Sequence, residues 1–112
     1  MSTNEYIDLE GALNRLNGDK GLLKMLINMF LEGNTVSLLE TALDQQDYKT
    51  AEEHSHAIKG IAGNLSLTLL CAAVTRLNNE LKQGNLSSQA LEEYYAVVRE
   101  TIEMLNIITP TL

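Results

Sequence analysis

Hydrophobic side chains recur at steps of three and four residues along most of the chain. That spacing places them on one side of an α-helix, and no segment shows the strict alternation typical of a half-buried strand. The first amphipathic segment follows a lead-in of seven residues that we expect to be loosely held. It is short, with Asp8 as its expected N-cap and Gly18 at its expected C-terminal stop. Its apolar positions are Leu9, Leu13 and Leu16.

Four longer amphipathic segments follow the short one. Residues typical of helix boundaries accompany them: Asp19 and Asp47 as N-caps, and Gly84 as a stop. Gly33-Asn34 falls inside the first of the four, where it predicts either a kink or a weak point that packing tolerates. We expect these helices at about residues 19–45, 48–66, 68–83 and from Ser87 or Ser88 to a frayed end at Pro110.

Short connections between long amphipathic helices favour antiparallel neighbours. The pattern therefore predicts an all-α fold, namely an antiparallel up-down four-helix bundle with a short extra N-terminal helix, as a single domain over residues 1–112. In the last helix the residues expected to face the core are Leu91, Tyr95, Val98, Ile102 and Leu105.

Charge and composition exclude several classes of partner. The chain of 112 residues carries 15 acidic and 8 basic side chains, a formal net charge of −7, which argues against binding to nucleic acid or to an anionic membrane. Its single cysteine, Cys71, has no internal disulfide partner and fits a reducing compartment. No apolar signal-peptide core opens the sequence, and no run approaches the ~20 apolar residues of a membrane span. We expect a soluble, cytoplasmic monomer.

The segment from Tyr48 to Ser66 carries the most unusual pattern. On a helix, its apolar stripe consists of Ala51, Ile58, Ala62 and Leu65. The opposite stripe consists of Glu52, Glu53, His56, Lys59, Gly60 and Gly63. Each of the two glycines costs the helix about 1 kcal/mol relative to alanine. That cost is understandable if side-chain bulk on this face is harmful.

Gly60 lies one turn after His56, and a helical side chain leans over the turn before it. Glycine at this position therefore leaves the imidazole uncovered, while Gly63 flattens the following turn and Lys59 adds a positive charge. The arrangement predicts an exposed nucleophilic imidazole on a bare surface that another protein can approach. The alternatives are a solvated surface histidine without a function, and glycines that permit close helix packing, which requires them to face inward.

Residues 56–65, His-Ala-Ile-Lys-Gly-Ile-Ala-Gly-Asn-Leu, resemble the signature His-x-(Leu/Ile)-Lys-Gly-x-(Ala/Ser)-x-x-(Leu/Ile) of histidine-containing phosphotransfer (Hpt) domains. The resemblance extends to the sequence Asp-Leu-x-x-Ala-Leu-x-x-Leu from Asp8, to the Gly-Asp turn at Gly18 and to Asp47. Ser66 departs from it, since many members have glycine there. Hpt domains are four-helix bundles that carry a phosphoryl group on the histidine between receiver-domain aspartates of two-component phosphorelays.

The resemblance implies a role for the residues of the polar stripe. His56 is the expected phosphoacceptor, and Lys59 is expected to stabilise the phosphoryl group, although solubility alone would also account for a lysine. Glu52 or Glu53 would orient the imidazole or, equally, form an acidic first turn favoured by the helix dipole. The surface expected to dock the partner comprises Glu52, Glu53, Ser55, Ala57, Gly60 and Gly63.

His54 lies about 160° round the helix from His56, so the two cannot form a metal-binding pair. We expect a partly buried structural histidine there and no metal site. The sequence also shows no glycine-rich phosphate loop and no Walker lysine, which predicts a phosphotransfer intermediate without autokinase activity or a cofactor of its own. The resemblance implies as partners response-regulator receiver domains, which would supply the Mg²⁺, and a (hybrid) sensor histidine kinase.

A competing hypothesis is a helical docking or adaptor module that binds receiver domains and is never phosphorylated. Such a module needs its surface but has no need of an imidazole at position 56. Binding to a receiver that is unaffected by replacement of His56, with no phosphohistidine formed, would favour this second hypothesis.

Overall fold

This computed structural model describes the backbone of residues 3–112 and the side chains of residues 5–112. The described part is all-helical and contains no strand, which confirms the predicted all-α class. Its elements are α1 (Thr3–Tyr6), α2 (Leu9–Arg15), α3 (Lys20–Glu32), α4 (Thr35–Asp44), α5 (Tyr48–Asn64), α6 (Thr68–Gln83), α7 (Ser88–Ile108) and a closing 3₁₀ turn (Thr109–Thr111).

The helix boundaries follow the capping residues in the sequence. In each of four helices a side-chain oxygen accepts a hydrogen bond from the backbone N–H three residues later, which satisfies one of the free donors of the first turn. Gly84 ends α6 in the left-handed conformation, with φ of 66°. The four capping residues are Asp8 (3.0 Å), Asp19 (2.9 Å), Asp47 (3.2 Å) and Ser87 (3.1 Å).

The single helix expected over residues 19–45 is broken into α3 and α4 at Gly33-Asn34. The Gly33 backbone leaves the helix in an extended conformation, with ψ of 175°, while its N–H still donates to the Met29 carbonyl oxygen. A Cβ atom at position 33 would lie 2.9 Å from that same oxygen. Glycine therefore permits the close approach of backbone that the break requires.

The same break bears on membrane insertion. By length and composition alone, residues 20–44 together are apolar enough to cross a bilayer. The structure divides them into helices of 13 and 10 residues, each shorter than the ~20 that a span requires. Leu23, Ile27 and Leu39, which are fully buried, instead pack into the protein core.

Residues 5–7 are part of the fold, so for them the prediction of a loose lead-in is wrong, while residues 1 and 2 of that lead-in lie outside the described residues. Tyr6 and Ile7 are buried, and the Tyr6 hydroxyl donates a hydrogen bond to Glu100 on α7 (3.0 Å). The Thr68 hydroxyl at the start of α6 donates to the Glu5 carbonyl oxygen (2.6 Å). These contacts attach α1 to the beginning of α6 and to the middle of α7.

The core lies between helices that are consecutive in the chain, because α4 packs on α5, α5 on α6 and α6 on α7. In α7 the buried stripe is displaced by one position from the predicted one at three sites, and only Val98 and Leu105 belong to both. Leu91, Tyr95 and Ile102 are half-buried at its edge. The buried residues are Ala90, Tyr94, Val98, Thr101 and Leu105. The end of α7 is also ordered, since Thr109 is buried in the 3₁₀ turn beside Pro110.

Candidate functional site

Helix α5 presents His56 to solvent because its other side is held by neighbouring helices. Ala51, Ile58 and Ala62 are fully buried between α4 and α6, as the apolar stripe predicted. His56 lies on the opposite side of the helix and is exposed. The prediction of an accessible imidazole is therefore confirmed at the level of geometry.

Seven of the eight predicted site residues reach the surface of α5. His56, Glu53, Ala57 and Gly60 are exposed, and Glu52, Lys59 and Gly63 are half-buried. The structure thus brings one imidazole, one ammonium group and two carboxylates together on one helix face, around a turn that carries no side chain at position 60.

Ser55 is the exception, and its assignment to the docking surface is wrong. The residue is fully buried, and its hydroxyl donates a hydrogen bond to the Glu52 carbonyl oxygen (2.9 Å). It also accepts one from the side-chain amide of Asn78 on α6 (2.8 Å). Position 55 precedes His56 in sequence but points about 100° away from it round the helix. A neighbour in sequence is therefore not a neighbour on this surface.

The two glycines of α5 face open space. A Cβ atom built on Gly60 or on Gly63 would meet no atom within 4 Å beyond the helix itself. Close helix packing therefore does not explain either glycine. On the face of His56, the two glycines leave the helix surface without side chains at positions 60 and 63.

Arg15 is a residue near this surface that the sequence did not indicate. Its guanidinium donates hydrogen bonds to the carbonyl oxygens of Gly63 and Asn64 at the end of α5. Free carbonyl groups at a helix C-terminus favour a cation. Because Arg15 belongs to α2, far away in sequence, no local pattern predicts the contact.

His54 lies on the side of α5 that turns away from His56, and it is half-buried, as predicted. Among the residues whose structure is described, no group of three or more histidine, cysteine, aspartate or glutamate side chains is placed to hold a metal ion. His54 and His56 consequently act as separate groups.

An apolar groove runs beside the C-terminal half of α5. It has a volume of about 280 Å³. Met29, at its rim, is 62% exposed, and Met25, one turn earlier on α3, is 51% exposed. The sequence did not distinguish these methionines from core residues. The groove is lined by Leu26, Met29, Phe30, Thr35, Ile61, Asn64 and Leu65.

Asp47 holds the N-terminal end of the histidine helix. Hydrogen bonds from Thr50, first from its side chain and then from its backbone N–H, lower the pKa of Asp47, and Lys49 contributes a smaller effect in the same direction. A carboxylate with a lowered pKa in the folded state stabilises the fold above its ordinary pKa of 3.8. That stabilisation disappears as the pH falls through the lowered value.

We therefore predict that Asp47→Ala lowers the melting temperature by a few degrees at neutral pH, and that the difference from wild type shrinks as the pH falls below 3.8. Thermal unfolding followed by circular dichroism over a pH series measures this. The matched control is Asp47→Asn, which keeps a capping oxygen but removes the titration. A difference between alanine variant and wild type that is constant over the series would show that the carboxylate charge does not matter.

The histidine helix α5 lies within the part of the chain that identifies its family. A family model, the Hpt domain, matches residues 25–106. The chain belongs to the Hpt domain family. The match includes all of α4, α5 and α6, while α1 and α2 lie before it. Searches of curated proteins and of solved structures returned no match for this chain.

Membership of the Hpt family places the protein in two-component signalling. Hpt domains are phosphocarriers rather than enzymes with catalytic sites of their own, and they interact with receiver domains and histidine kinases. The resemblance stated from residues 56–65 is thereby confirmed at the level of the family.

Proposed function

We propose that His56 is the phosphoacceptor of a phosphorelay. It takes a phosphoryl group from the aspartyl phosphate of a receiver domain, or from a partner kinase, and passes the group to the aspartate of another receiver. The observation that carries the proposal is the exposed imidazole of His56 followed by Gly60 and Gly63, which leave open space on the same face.

The chemistry needs only one nucleophilic nitrogen. A neutral imidazole has a ring nitrogen with a free lone pair. Attack on the aspartyl phosphate forms a nitrogen–phosphorus bond and breaks the bond between phosphorus and the carboxylate oxygen, so that the aspartate leaves as a carboxylate and the imidazole proton passes to solvent. The reverse sequence on a second receiver regenerates neutral His56.

The chain supplies part of the charge neutralisation that this transfer requires. Lys59 lies one turn after His56, half-buried on the same side of α5, and its ammonium group can donate up to three hydrogen bonds to phosphoryl oxygens. Phosphoryl transfer depends on metal ions and cations placed around the phosphate. We assign the Mg²⁺ and the reacting aspartate to the receiver domain, so the complete active site exists only in the complex.

The receiver is proposed to dock over His56 and the bare turns that follow it. Glu52 and Glu53 lie one turn before His56 and Ala57 follows it, all three at the surface, and the exposed Met25 and Met29 of α3 add apolar side chains to the accessible surface. The proposal includes a cytoplasmic monomer in which α3 with α4, α5, α6 and α7 form an antiparallel up-down bundle. The short connections between consecutive packed helices support that arrangement.

Substitutions at Gly60 can distinguish effects on folding from effects on receiver docking. Gly60→Ala and Gly60→Gln should each stabilise the protein, by about 0.5–1 kcal/mol, because both residues are better helix formers and a Cβ atom there meets nothing within 4 Å. Only the glutamine side chain is long enough to lean over His56. We predict that Gly60→Gln slows transfer by about tenfold or more, since displacement of reacting groups by ~1 Å can cost ~100-fold.

Urea unfolding and transfer rates of the two Gly60 variants measure this separation. Gly60→Ala serves as the matched control, with a transfer rate near that of wild type. If Gly60→Gln transferred as fast as wild type, the open surface after His56 would not serve the approach of a receiver.

The experiment that tests the proposed function is transfer from a charged receiver. A panel of receiver domains is phosphorylated with labelled acetyl phosphate and Mg²⁺ and mixed with the protein, and the label is followed onto the 12.4 kDa chain. A phosphohistidine is expected, which is labile in acid and stable in base and returns to a second receiver. Binding of receivers without any label on the protein would favour the docking or adaptor module instead.

A further inference from the structure

A buried polar cluster lies directly behind the turn of α5 that carries His56. Asn78, fully buried in the middle of α6, donates one hydrogen bond from its side-chain amide to the Glu52 carbonyl oxygen (3.1 Å) and one to the Ser55 hydroxyl oxygen (2.8 Å). Ser55, also fully buried, donates to the same Glu52 carbonyl oxygen (2.9 Å). The Asn78 amide nitrogen thus contacts two acceptors on a single turn of the histidine helix.

The Glu52 carbonyl oxygen connects this cluster to the proposed phosphoacceptor. In an α-helix that oxygen accepts the backbone N–H four residues later, which is the N–H of His56. Three donors therefore converge on one oxygen: the backbone of His56, the hydroxyl of Ser55 and the amide of Asn78. The cluster consequently contacts the turn of His56 from behind, while the imidazole faces solvent.

The cluster is costly for the core. Among the described residues, the Asn78 side-chain oxygen is buried without a hydrogen-bond partner. A buried amide whose oxygen has no hydrogen-bond partner loses hydration that an apolar residue of similar volume would not lose. Leucine at position 78 would continue the apolar stripe of α6, in which Val74, Leu77 and Leu81 are buried. Stability of the core alone therefore gives no reason for an asparagine here.

The hydrogen bonds of Asn78 add a directional interaction to the packing of α5 on α6. The hydrophobic attraction between α5 and α6 is itself non-directional. Hydrogen bonds weaken steeply when their angles and lengths change. The contacts of the Asn78 amide nitrogen with Glu52 and Ser55 therefore restrain the turn of residues 52–56, which carries His56, relative to α6.

We propose that Asn78 and Ser55 are positioning residues for phosphoryl transfer: they fix the orientation of the His56 turn so that the imidazole meets the receiver phosphate in line. This inference rests on the proposed function of His56. It explains why an asparagine is buried at position 78: its side chain orients the turn that carries the reacting imidazole. It also places Ser55 in the support of that turn and not on the docking surface.

The test uses Ser55→Ala, Asn78→Leu and the double variant. Asn78→Leu leaves the Ser55 hydroxyl facing an apolar group, so we expect it to lower stability in urea. In the double variant apolar groups replace both partners, which is often nearly neutral, so stability is expected to recover. If the cluster only held the fold together, the transfer rate would recover with it.

For each variant, transfer from a charged receiver is measured over a series of receiver concentrations. We expect Asn78→Leu and the double variant to lower the maximal transfer rate by about tenfold, within the ~100-fold that a ~1 Å misplacement can cost. The receiver concentration at half-maximal rate should stay unchanged, since the docking surface is intact. The backbone amide signal of His56 in the ¹H–¹⁵N spectrum should shift, because its acceptor loses one or two other donors.

The outcomes separate the two proposals. Absence of label on the wild-type protein would overturn the proposed function and this inference with it. Label on wild type, together with a double variant that transfers at the wild-type maximal rate, would overturn the inference alone. A low maximal rate in a double variant of wild-type stability would support positioning by Asn78 and Ser55.

Discussion

Replacing His56 with glutamine is expected to abolish the transfer of label from a charged receiver and to leave folding nearly unchanged. The imidazole is exposed, so its removal breaks no core contact, and surface substitutions of this kind usually change the free energy of unfolding by at most about 0.5 kcal/mol. Glutamine is similar in length and a good helix former, but its amide nitrogen is not a nucleophile. We therefore expect substitution at position 56 to remove phosphoryl transfer without a matching loss of stability.

The chain contains its own matched control in His54. His54→Gln makes the same chemical change two residues earlier, on the side of α5 that turns away from His56. Labelled transfer, phosphoamino-acid analysis and urea unfolding are measured on both variants. We expect wild-type labelling of His54→Gln and only background on His56→Gln. Labelling of both variants would place the acceptor elsewhere, and unfolding of His56→Gln would show that His56 is structural.

Local chemistry in the sequence determined much of the fold in advance. Asp19 and Asp47 each cap the N-terminus of one helix with a side-chain oxygen, and Gly84 ends another helix through its left-handed backbone conformation. These features depend on a few neighbouring residues only. The bounds of α6, expected at residues 68–83, are those observed. The exposed face of α5 was also predictable, because an apolar stripe on one side of a helix fixes the direction of the other side.

Contacts between distant segments could not be predicted in the same way. Ser55 was assigned to the surface because its partner, Asn78, lies on another helix and leaves no local pattern. Arg15 meets the end of α5 for a similar reason, since it comes from α2. In α7, spacings of three and four leave two adjacent columns of apolar residues, and only packing decides that Tyr94 rather than Tyr95 is buried.

The departure at Ser66 shows how a family pattern and a local conformation agree. Ser66 stands where many family members have glycine, and its backbone adopts φ of 56°, in the left-handed region that favours glycine. The Ser66 carbonyl oxygen accepts the backbone N–H of Asp8 (2.9 Å). The turn that ends the histidine helix thus also binds the backbone of Asp8, next to the buried residues Tyr6 and Ile7.

Because the N-terminal segment packs into the core, we expect a large loss of stability when the side chain of Ile7 is shortened. Ile7 is fully buried in the core although it lies in the segment that the sequence predicted to be loose. Ile7→Ala removes three buried carbon atoms and leaves a cavity that neighbouring side chains fill only in part. We expect the free energy of unfolding to fall by about 2–5 kcal/mol.

Ile107→Ala is the matched control for Ile7→Ala, because the same substitution is made at a helical position that is 68% exposed. We expect it to change stability by at most about 0.5 kcal/mol. Urea unfolding midpoints at constant slope measure both variants. Equal midpoints would mean that the N-terminal segment is detached from the core in solution. A large loss for Ile7→Ala alone would show that residues before the Hpt match, which begins at position 25, are needed to hold the bundle that carries His56.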